Sequence, residues 1–169
     1  IRNIETKREK RKPPPPFITS TMQQVAGSKL GMTAKCVMRT AQSLYEGGYI
    51  TYHRTDSVTL SKQAIAQIKS YIDNKYGDKY HSLNDYTTRS QNAQEAHEAI
   101  RPVHIQDKQI EMEEPYRKLY HLIWKRTIAS QMSACQKKSI TLHIDVDNPN
   151  IEIPMEAPLE TIEFLGHRI

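Results

Sequence analysis

The sequence predicts an α+β fold, mainly helical in its middle and with a small antiparallel β unit formed from its two ends. Three observations predict it. Polar capping residues precede stretches with apolar residues at helical spacing, apolar and polar residues alternate near the C-terminus, and four consecutive prolines follow the N-terminal segment. A length of 169 residues allows one domain or slightly more.

The N-terminal segment is basic and ends in a proline run. Its basic residues are Arg2, Lys7, Arg8, Lys10, Arg11 and Lys12. Two interpretations stay open: the cluster contacts phosphate groups, or it is a solvated edge strand or linker. Pro13–Pro16 excludes helix and indicates a stiff polyproline II connector at a boundary between two structural units.

Four helices are predicted from N-cap residues, apolar spacing and terminal glycines. They run from Ser20 or Thr21 to about Leu30, from Thr33 to about Glu46, from Ser61 to about Lys75 and from Glu113 to about Cys135. The first two helices, joined at Gly31-Met32, form a helix-turn-helix. Such a pair is weak evidence of DNA binding, because most helix-turn-helix pairs serve packing alone.

The C-terminal residues alternate between apolar and polar side chains, as a half-buried strand does. The predicted strands are Ile140–Val146, Ile151–Met155 and Glu160–Phe164, with a possible short strand at Asp85–Thr88 and a helical turn at Ala96–Ile100. We interpret residues 1–11 and 138–169 as one β unit and residues 12–137 as the helical domain.

The stretch from Gly48 to Ser57 carries the most distinctive side chains. A strand-like entry at Tyr49–Thr51 leads to Tyr52 and Arg54, which would share one face because strand residues two apart point the same way. The phenol of a tyrosine ordinarily has a pKa of about 10, so by itself it is a poor nucleophile at neutral pH. An arginine fork binds phosphate oxygens and stabilises developing charge. The pair therefore suits attack on a phosphodiester, although a packed tyrosine beside a solvated arginine is the plain alternative.

Composition narrows the class of protein. A net charge of +5 and an isoelectric point of about 9.1 give weak support for a polyanionic partner. We expect neither a signal peptide nor a membrane span, and the absence of an initial Met indicates part of a longer protein. Cys36 and Cys135 lie far apart without zinc-ligand spacing, which excludes a zinc ribbon here and fits a reducing cytoplasm.

Three sequence blocks resemble the signatures of type IA DNA topoisomerases, and they occur in that family's order. The first is Tyr52–Ser57 (YHRTDS), in which His53 stands where methionine or proline is frequent, a departure we expect to matter little. The second, Pro13–Gln24, resembles the family's "PPPPFTTSTLQQ". The third, Ala93–Pro102, matches "AQEAHEAIRP". The resemblance covers nearly the whole chain.

The resemblance implies a winged-helix-like tyrosine domain at residues 12–137, attached to part of a β-rich arch formed by residues 1–11 and 138–169. Tyr52 would be the nucleophile and Arg54 a catalytic and DNA-binding cation. His97, Thr55 and Ser57 would also bind DNA. From spacing alone, His97 with its neighbouring glutamates is a poor metal site and more typical of a polar turn.

The resemblance also implies an enzyme that relaxes negatively supercoiled DNA. It would cleave one strand, form a 5′-phosphotyrosine link, pass the other strand and religate, without ATP. Its Mg²⁺ would be bound in a separate Toprim domain, so no metal site is expected in this chain, and Asp145-Val146-Asp147 is interpreted as a strand end. This chain alone would be inactive.

The expected partners are single-stranded or negatively supercoiled DNA and the remaining domains of the same polypeptide, at the nucleoid in the cytoplasm. A non-catalytic helix-turn-helix DNA-binding module is the alternative. A tyrosine recombinase would need scattered arginines and histidines in another order, and none match.

Overall fold

The computed structural model describes residues 3–86, 98–144 and 155–168. Its helices are α1 (Thr19–Leu30), α2 (Ala34–Glu46), α3 (Lys62–Tyr76) and α4 (Glu114–Ser130), and its strands are β1 (Asn3–Arg11), β2 (Cys135–Ile144) and β3 (Met155–Phe164). The predicted α+β class, helical in the middle with a small antiparallel sheet from the two ends, is confirmed.

The chain divides into two compact units, one formed by Ile1–Pro13 with Ser133–Ile169 and the other by Pro14–Met132. The first unit contains an antiparallel sheet of order β1-β2-β3. Its register pairs Asn3 with His143 and Arg11 with Cys135. The assignment of the units to an arch and a tyrosine domain stays a prediction.

The basic N-terminal segment forms β1, which lies at an edge of the sheet and is almost entirely exposed. Arg8 Nε lies 3.3 Å from a carboxylate oxygen of Glu163 on β3, and Lys7 pairs with Glu9 along the strand. These contacts support the edge-strand interpretation of this cluster over dedicated phosphate binding.

Two predicted helix caps are confirmed and one is wrong. The side chains of Thr33 and Ser61 accept hydrogen bonds from the N–H groups of Cys36 and Ala64, so α2 and α3 begin as predicted. Helix α1 instead begins at Thr19, because the Thr19 N–H is bonded to the carbonyl of Thr55, outside the helix.

Helix α4 ends at Ser130, earlier than the predicted Cys135, which instead begins β2. The cause is a set of hydrogen bonds from another segment. Asn84 Nδ2 donates to the carbonyls of Ser130 (2.9 Å) and Met132 (3.0 Å). These bonds satisfy the carbonyls at the helix end, so the chain leaves the helix without exposing them.

The smaller predicted elements need further correction. Residues 98–100 are not in a helical turn, and Ile100 forms an isolated antiparallel bridge with Phe17. Asp85 and Tyr86 are not in a strand. Strand β2 begins before the predicted Ile140, and β3 begins before the predicted Glu160. The remainder of these predictions, at 87–88, 96–97 and 145–154, lies outside the described residues.

The core of the second unit is formed by the apolar faces of its helices. Fully buried members from each helix are Met22, Leu44, Ile68, Leu119 and Ile123. Helix α4 packs against α1 and α2, and Trp124 Nε1 donates 2.9 Å to the carbonyl of Ile105. No helix in the described ranges has the length and apolar character that crossing a bilayer requires.

We predict that Leu119→Ala lowers the free energy of unfolding by about 2–5 kcal/mol, because it leaves a cavity in a fully buried site. Leu83→Ala is the control: that side chain is 66% exposed, and the substitution should change stability little. Urea unfolding followed by circular dichroism measures both. Equal losses for the two variants would contradict the assigned core.

Candidate active site

The Tyr52 stretch leaves α2 through a glycine turn and is held by a neighbouring segment. Ile50 forms an isolated antiparallel bridge with Pro102, and the Thr51 N–H donates 2.9 Å to the carbonyl of Arg101. The predicted strand-like entry is therefore a single bridge rather than a strand. Its backbone is nevertheless fixed on both sides of Ile50, since the Val103 N–H donates to the carbonyl of Tyr49.

Beyond this bridge, side chains alternate between the surface and the interior although the segment is not in a strand. Tyr52, Arg54 and Asp56 are exposed, whereas His53, Thr55 and Ser57 are buried. One side of the segment is thus accessible and the other is packed.

Tyr52 and Arg54 both lie on the accessible side. Tyr52 is 38% exposed, and its ring packs edge-on against Tyr45 at 5.2 Å between centroids. The sequence did not point to Tyr45. The catalytic roles assigned to Tyr52 and Arg54, and their contact with one phosphate, stay predictions.

Thr55 and Ser57, predicted to bind DNA, have structural hydrogen bonds. Thr55 Oγ1 accepts from the Ser57 N–H at 3.0 Å, and Ser57 Oγ accepts from the Thr59 N–H at 3.2 Å. The Thr55 N–H donates to Thr19 Oγ1, which also donates to the His53 carbonyl. The Thr-Asp-Ser sequence therefore forms a turn fastened to the start of α1, and DNA contact by its two buried hydroxyls stays a prediction.

Residues 98–102 are hydrogen-bonded to the stretch that carries Tyr52. Thr51 Oγ1 donates 2.7 Å to the carbonyl of Ala99 and accepts 3.0 Å from the Arg101 N–H. The Ala99 N–H donates to the carbonyl of Thr59. We call residues 98–102 the supporting segment. His97, which precedes it, lies outside the described residues, so its predicted phosphate contact stays a prediction.

Glu98 fastens the supporting segment at its beginning. One carboxylate oxygen accepts 2.6 Å from the Ser61 N–H at the start of α3, and the other accepts 2.7 Å from the guanidinium of Arg101. Burial raises the pKa of Glu98, but the hydrogen bonds from Ser61 and Arg101, together with the Arg101 charge, outweigh it and lower the pKa. The glutamate and arginine of the third sequence block thus have structural roles that the sequence did not reveal.

His53 is fully buried, and neither ring nitrogen has a hydrogen-bond partner among the described residues. Burial lowers the pKa of His53, and the neighbouring Arg54 charge lowers it further, against a smaller opposing effect of Glu46. An unsatisfied buried polar group costs about 1–3 kcal/mol, so this histidine is unusual beside two candidate catalytic residues.

Within the described residues, no three His, Cys, Asp or Glu side chains lie together as a metal site requires. These residues do not supply the oxygen ligands that Mg²⁺ prefers.

Comparisons with known proteins agree on one family. A family model described as DNA topoisomerase matches residues 1–167. The chain is 53% identical to DNA topoisomerase 1 of Rickettsia felis, over 98% of this chain and 23% of that protein. It is 45% identical to a prokaryotic-type DNA topoisomerase 1 of Acanthamoeba polyphaga mimivirus, over 98% of this chain and 20% of that protein.

The fold is similar to that of full-length topoisomerase I from Thermotoga maritima, with a TM-score of 0.84 and 32% identity. That match covers 98% of this chain and 28% of the other. The chain spans about a fifth of the length of the curated relatives it matches.

We predict that Glu98→Ala lowers the free energy of unfolding by about 1–3 kcal/mol, because the Ser61 N–H and the Arg101 guanidinium both lose their acceptor. Glu98→Gln should cost less, since the amide oxygen still accepts from Ser61. Glu111→Ala, at an exposed glutamate, is the control.

The Glu98–Arg101 ion pair makes this contribution to the free energy of unfolding depend on pH. Because the folded-state pKa of Glu98 is lowered, its stabilisation is present above the unfolded-state pKa and is lost as pH falls through the folded-state value. Urea unfolding of wild type and Glu98→Gln at neutral and acidic pH measures the difference. A difference that grows in acid would contradict the ion pair.

Proposed function

This chain belongs to the DNA topoisomerase family, and we propose that it is the tyrosine-bearing part of a type IA enzyme that relaxes negatively supercoiled DNA. The observation that carries the proposal is the joint exposure of Tyr52 and Arg54 on one side of a segment whose other side is packed. A non-catalytic helix-turn-helix module is not favoured, because relatives over 98% of the chain are named as topoisomerases.

The proposed reaction exchanges one phosphodiester bond for another. The phenolic oxygen of Tyr52 attacks a DNA phosphorus, and a tyrosine–phosphate bond to the 5′ side forms as the bond to the 3′ oxygen breaks. The phenol loses its proton as it attacks, and the released 3′ oxygen takes one up, so the exchange is balanced in protons. After the second strand has passed, the 3′ oxygen attacks the phosphotyrosine and restores the DNA, so no ATP is consumed.

Arg54 supplies the charge that this exchange needs on the Tyr52 side. Its guanidinium is permanently cationic and forks onto phosphate oxygens, and in the transition state these oxygens carry more charge than in the ground state. Burial of Thr55 and His53 on either side of Arg54 fixes the backbone from which it extends. The loop that carries Arg54 is therefore already ordered when the guanidinium binds the phosphate.

Other parts of the full-length polypeptide would complete the site. We propose that a Toprim domain supplies the acid for the leaving oxygen, a further cation and the Mg²⁺ ligands. Single-stranded or negatively supercoiled DNA is the proposed partner. We further propose that the enzyme acts in the cytoplasm at the nucleoid, a location supported by the free thiols of Cys36 and Cys135, which suit a reducing compartment.

We predict that, in the full-length enzyme, Tyr52→Phe abolishes covalent adduct formation while single-stranded DNA still binds, because only the phenolic oxygen is lost. The measurement is denaturant trapping on end-labelled oligonucleotide, beside a filter-binding titration. Tyr49→Phe is the matched control, because Tyr49 lies three residues earlier and is partly buried in the core.

An adduct that persists in Tyr52→Phe would refute the assignment. The isolated 169-residue chain completes the test. It should bind single-stranded DNA weakly, with affinity that falls as salt rises, and should not relax supercoiled plasmid in the presence of Mg²⁺. Relaxation by this chain alone would mean that it contains the groups assigned to the Toprim domain.

We predict that Arg54→Ala slows cleavage by about 100-fold, the typical cost of losing one group that stabilises transition-state charge. Arg54→Lys should recover part of this loss, because lysine offers a point charge without the fork. His97→Ala should have a smaller effect, since a titratable ring contributes less than a permanent cation. Single-turnover cleavage at saturating DNA measures all three, and an unchanged rate in Arg54→Ala would remove its proposed role.

A further inference from the structure

His53 lies between the two candidate catalytic residues in the sequence, and its side chain is buried. It is fully buried, and both ring nitrogens lack hydrogen-bond partners among the described residues. Without such partners, the ring nitrogens contribute no hydrogen bond that stabilises the buried side chain. What the ring does provide in this structure is contact with other rings.

Three aromatic rings meet at this point. The His53 ring lies 5.5 Å from the Tyr52 ring and 5.9 Å from the Tyr45 ring, measured between centroids. Tyr45 and Tyr52 are 5.2 Å apart. The two pairs that include Tyr52 are edge-to-face, at interplanar angles of 66° and 70°, which is a preferred aromatic geometry. The exposed ring of Tyr52 is thus flanked by one buried ring and one ring of α2.

Both flanking rings are attached to fixed backbone. The carbonyl of His53 accepts 2.8 Å from Thr19 Oγ1 at the start of α1. Tyr45 lies in the last turn of α2, directly after the fully buried Leu44. Tyr52 itself follows Thr51, whose N–H and side chain are bonded to the supporting segment. The Tyr52 ring therefore packs against a fully buried ring, His53, and against Tyr45, whose backbone is helical but whose side chain is 40% exposed.

We propose that His53 is a positioning residue for Tyr52: its buried ring, with that of Tyr45, holds the Tyr52 phenol in the orientation from which it attacks DNA. This inference rests on the proposed function, because it concerns how the nucleophile is presented. It assigns His53 no contact with DNA and no proton transfer.

The charge state of His53 decides whether the ring can stay in place. The charged groups that act on it are Arg54, its neighbour, and Glu46 at the end of α2, while the titratable rings of Tyr45 and Tyr52 pack against it. Burial and Arg54 lower its pKa, so the ring is neutral at pH 7. Protonation in acid would place a buried cation beside Arg54 and expel the ring, which releases Tyr52.

The test compares His53→Phe, which keeps an aromatic ring but cannot be protonated, with His53→Ala, which removes it. His104→Ala at an exposed histidine is the control. At neutral pH in the full-length enzyme, His53→Ala should lower the single-turnover rate of adduct formation roughly 3- to 10-fold, the effect of losing one aromatic pair, with unchanged affinity for single-stranded DNA. His53→Phe should restore most of the rate.

The pH profile provides the second readout. Because the pKa of His53 is lowered from the ordinary 6.5, the ring is protonated only at more acidic pH. As pH falls below that ordinary value, the wild-type rate should fall more steeply than that of His53→Phe. Parallel profiles, or equal rates for wild type and His53→Ala, would overturn the proposal. Weaker DNA binding in His53→Ala would also overturn it, because that result indicates direct contact with DNA.

A third measurement does not depend on activity. In the 169-residue chain, side-chain NMR couplings of Tyr52 should show one χ1 rotamer in wild type and His53→Phe, and averaging in His53→Ala. Averaging already present in wild type would overturn the proposal. If the full-length wild type forms no adduct, the proposed function fails by itself, and the NMR result still decides the role of His53. If His53→Ala does not fold, the pH profile and NMR of His53→Phe decide it.

Discussion

The hydrogen bonds of the supporting segment hold the candidate site together. Residues 98–102 bond to Phe17, to Thr51 and to the stretch that contains Thr59 and Ser61, so they join three separate parts of the chain. None of these stretches forms a regular sheet with its neighbours, so their backbone groups need partners from elsewhere in the chain. The supporting segment provides such partners and connects the Tyr52 stretch to the residues before α1 and α3.

This constraint explains why side chains alternate from Tyr52 to Ser57 without a strand. The backbone is attached at Thr51 by the supporting segment and at Thr55 by Thr19. Between two attachments only a few residues apart, the chain bends at His53 and Arg54, and exposed residues alternate with buried ones. The buried side stabilises the loop, while the accessible side is left for chemistry. Such a site is organised before its substrate arrives, which reduces the ordering needed on binding.

The sequence predicts those parts of the fold whose causes are local. Thr33 and Ser61 cap helices through bonds to residues three positions later, and both were identified. The end of α4 was placed too late because its cause is distant: Asn84 caps it from more than forty residues away in the chain. Helix α1 was misplaced for a similar reason, since the Thr19 N–H is bonded to Thr55. The spacing of apolar residues predicts neither the Asn84 contact nor the Thr55 contact.

The candidate site shows the same contrast between features with local causes and features that depend on distant residues. Tyr52 and Arg54 are predicted as site residues because their chemistry belongs to their own side chains and to a specific sequence string. The structural role of Glu98 depends on Ser61 and Arg101 together, which no spacing rule connects. His53 was expected to matter little, because a sequence shows the identity of a residue but not its burial. Because the ring is buried against the candidate nucleophile, the proposed positioning role gives its identity a physical route to catalysis: a ring that must stay neutral to stay in place would make the orientation of Tyr52 sensitive to protons.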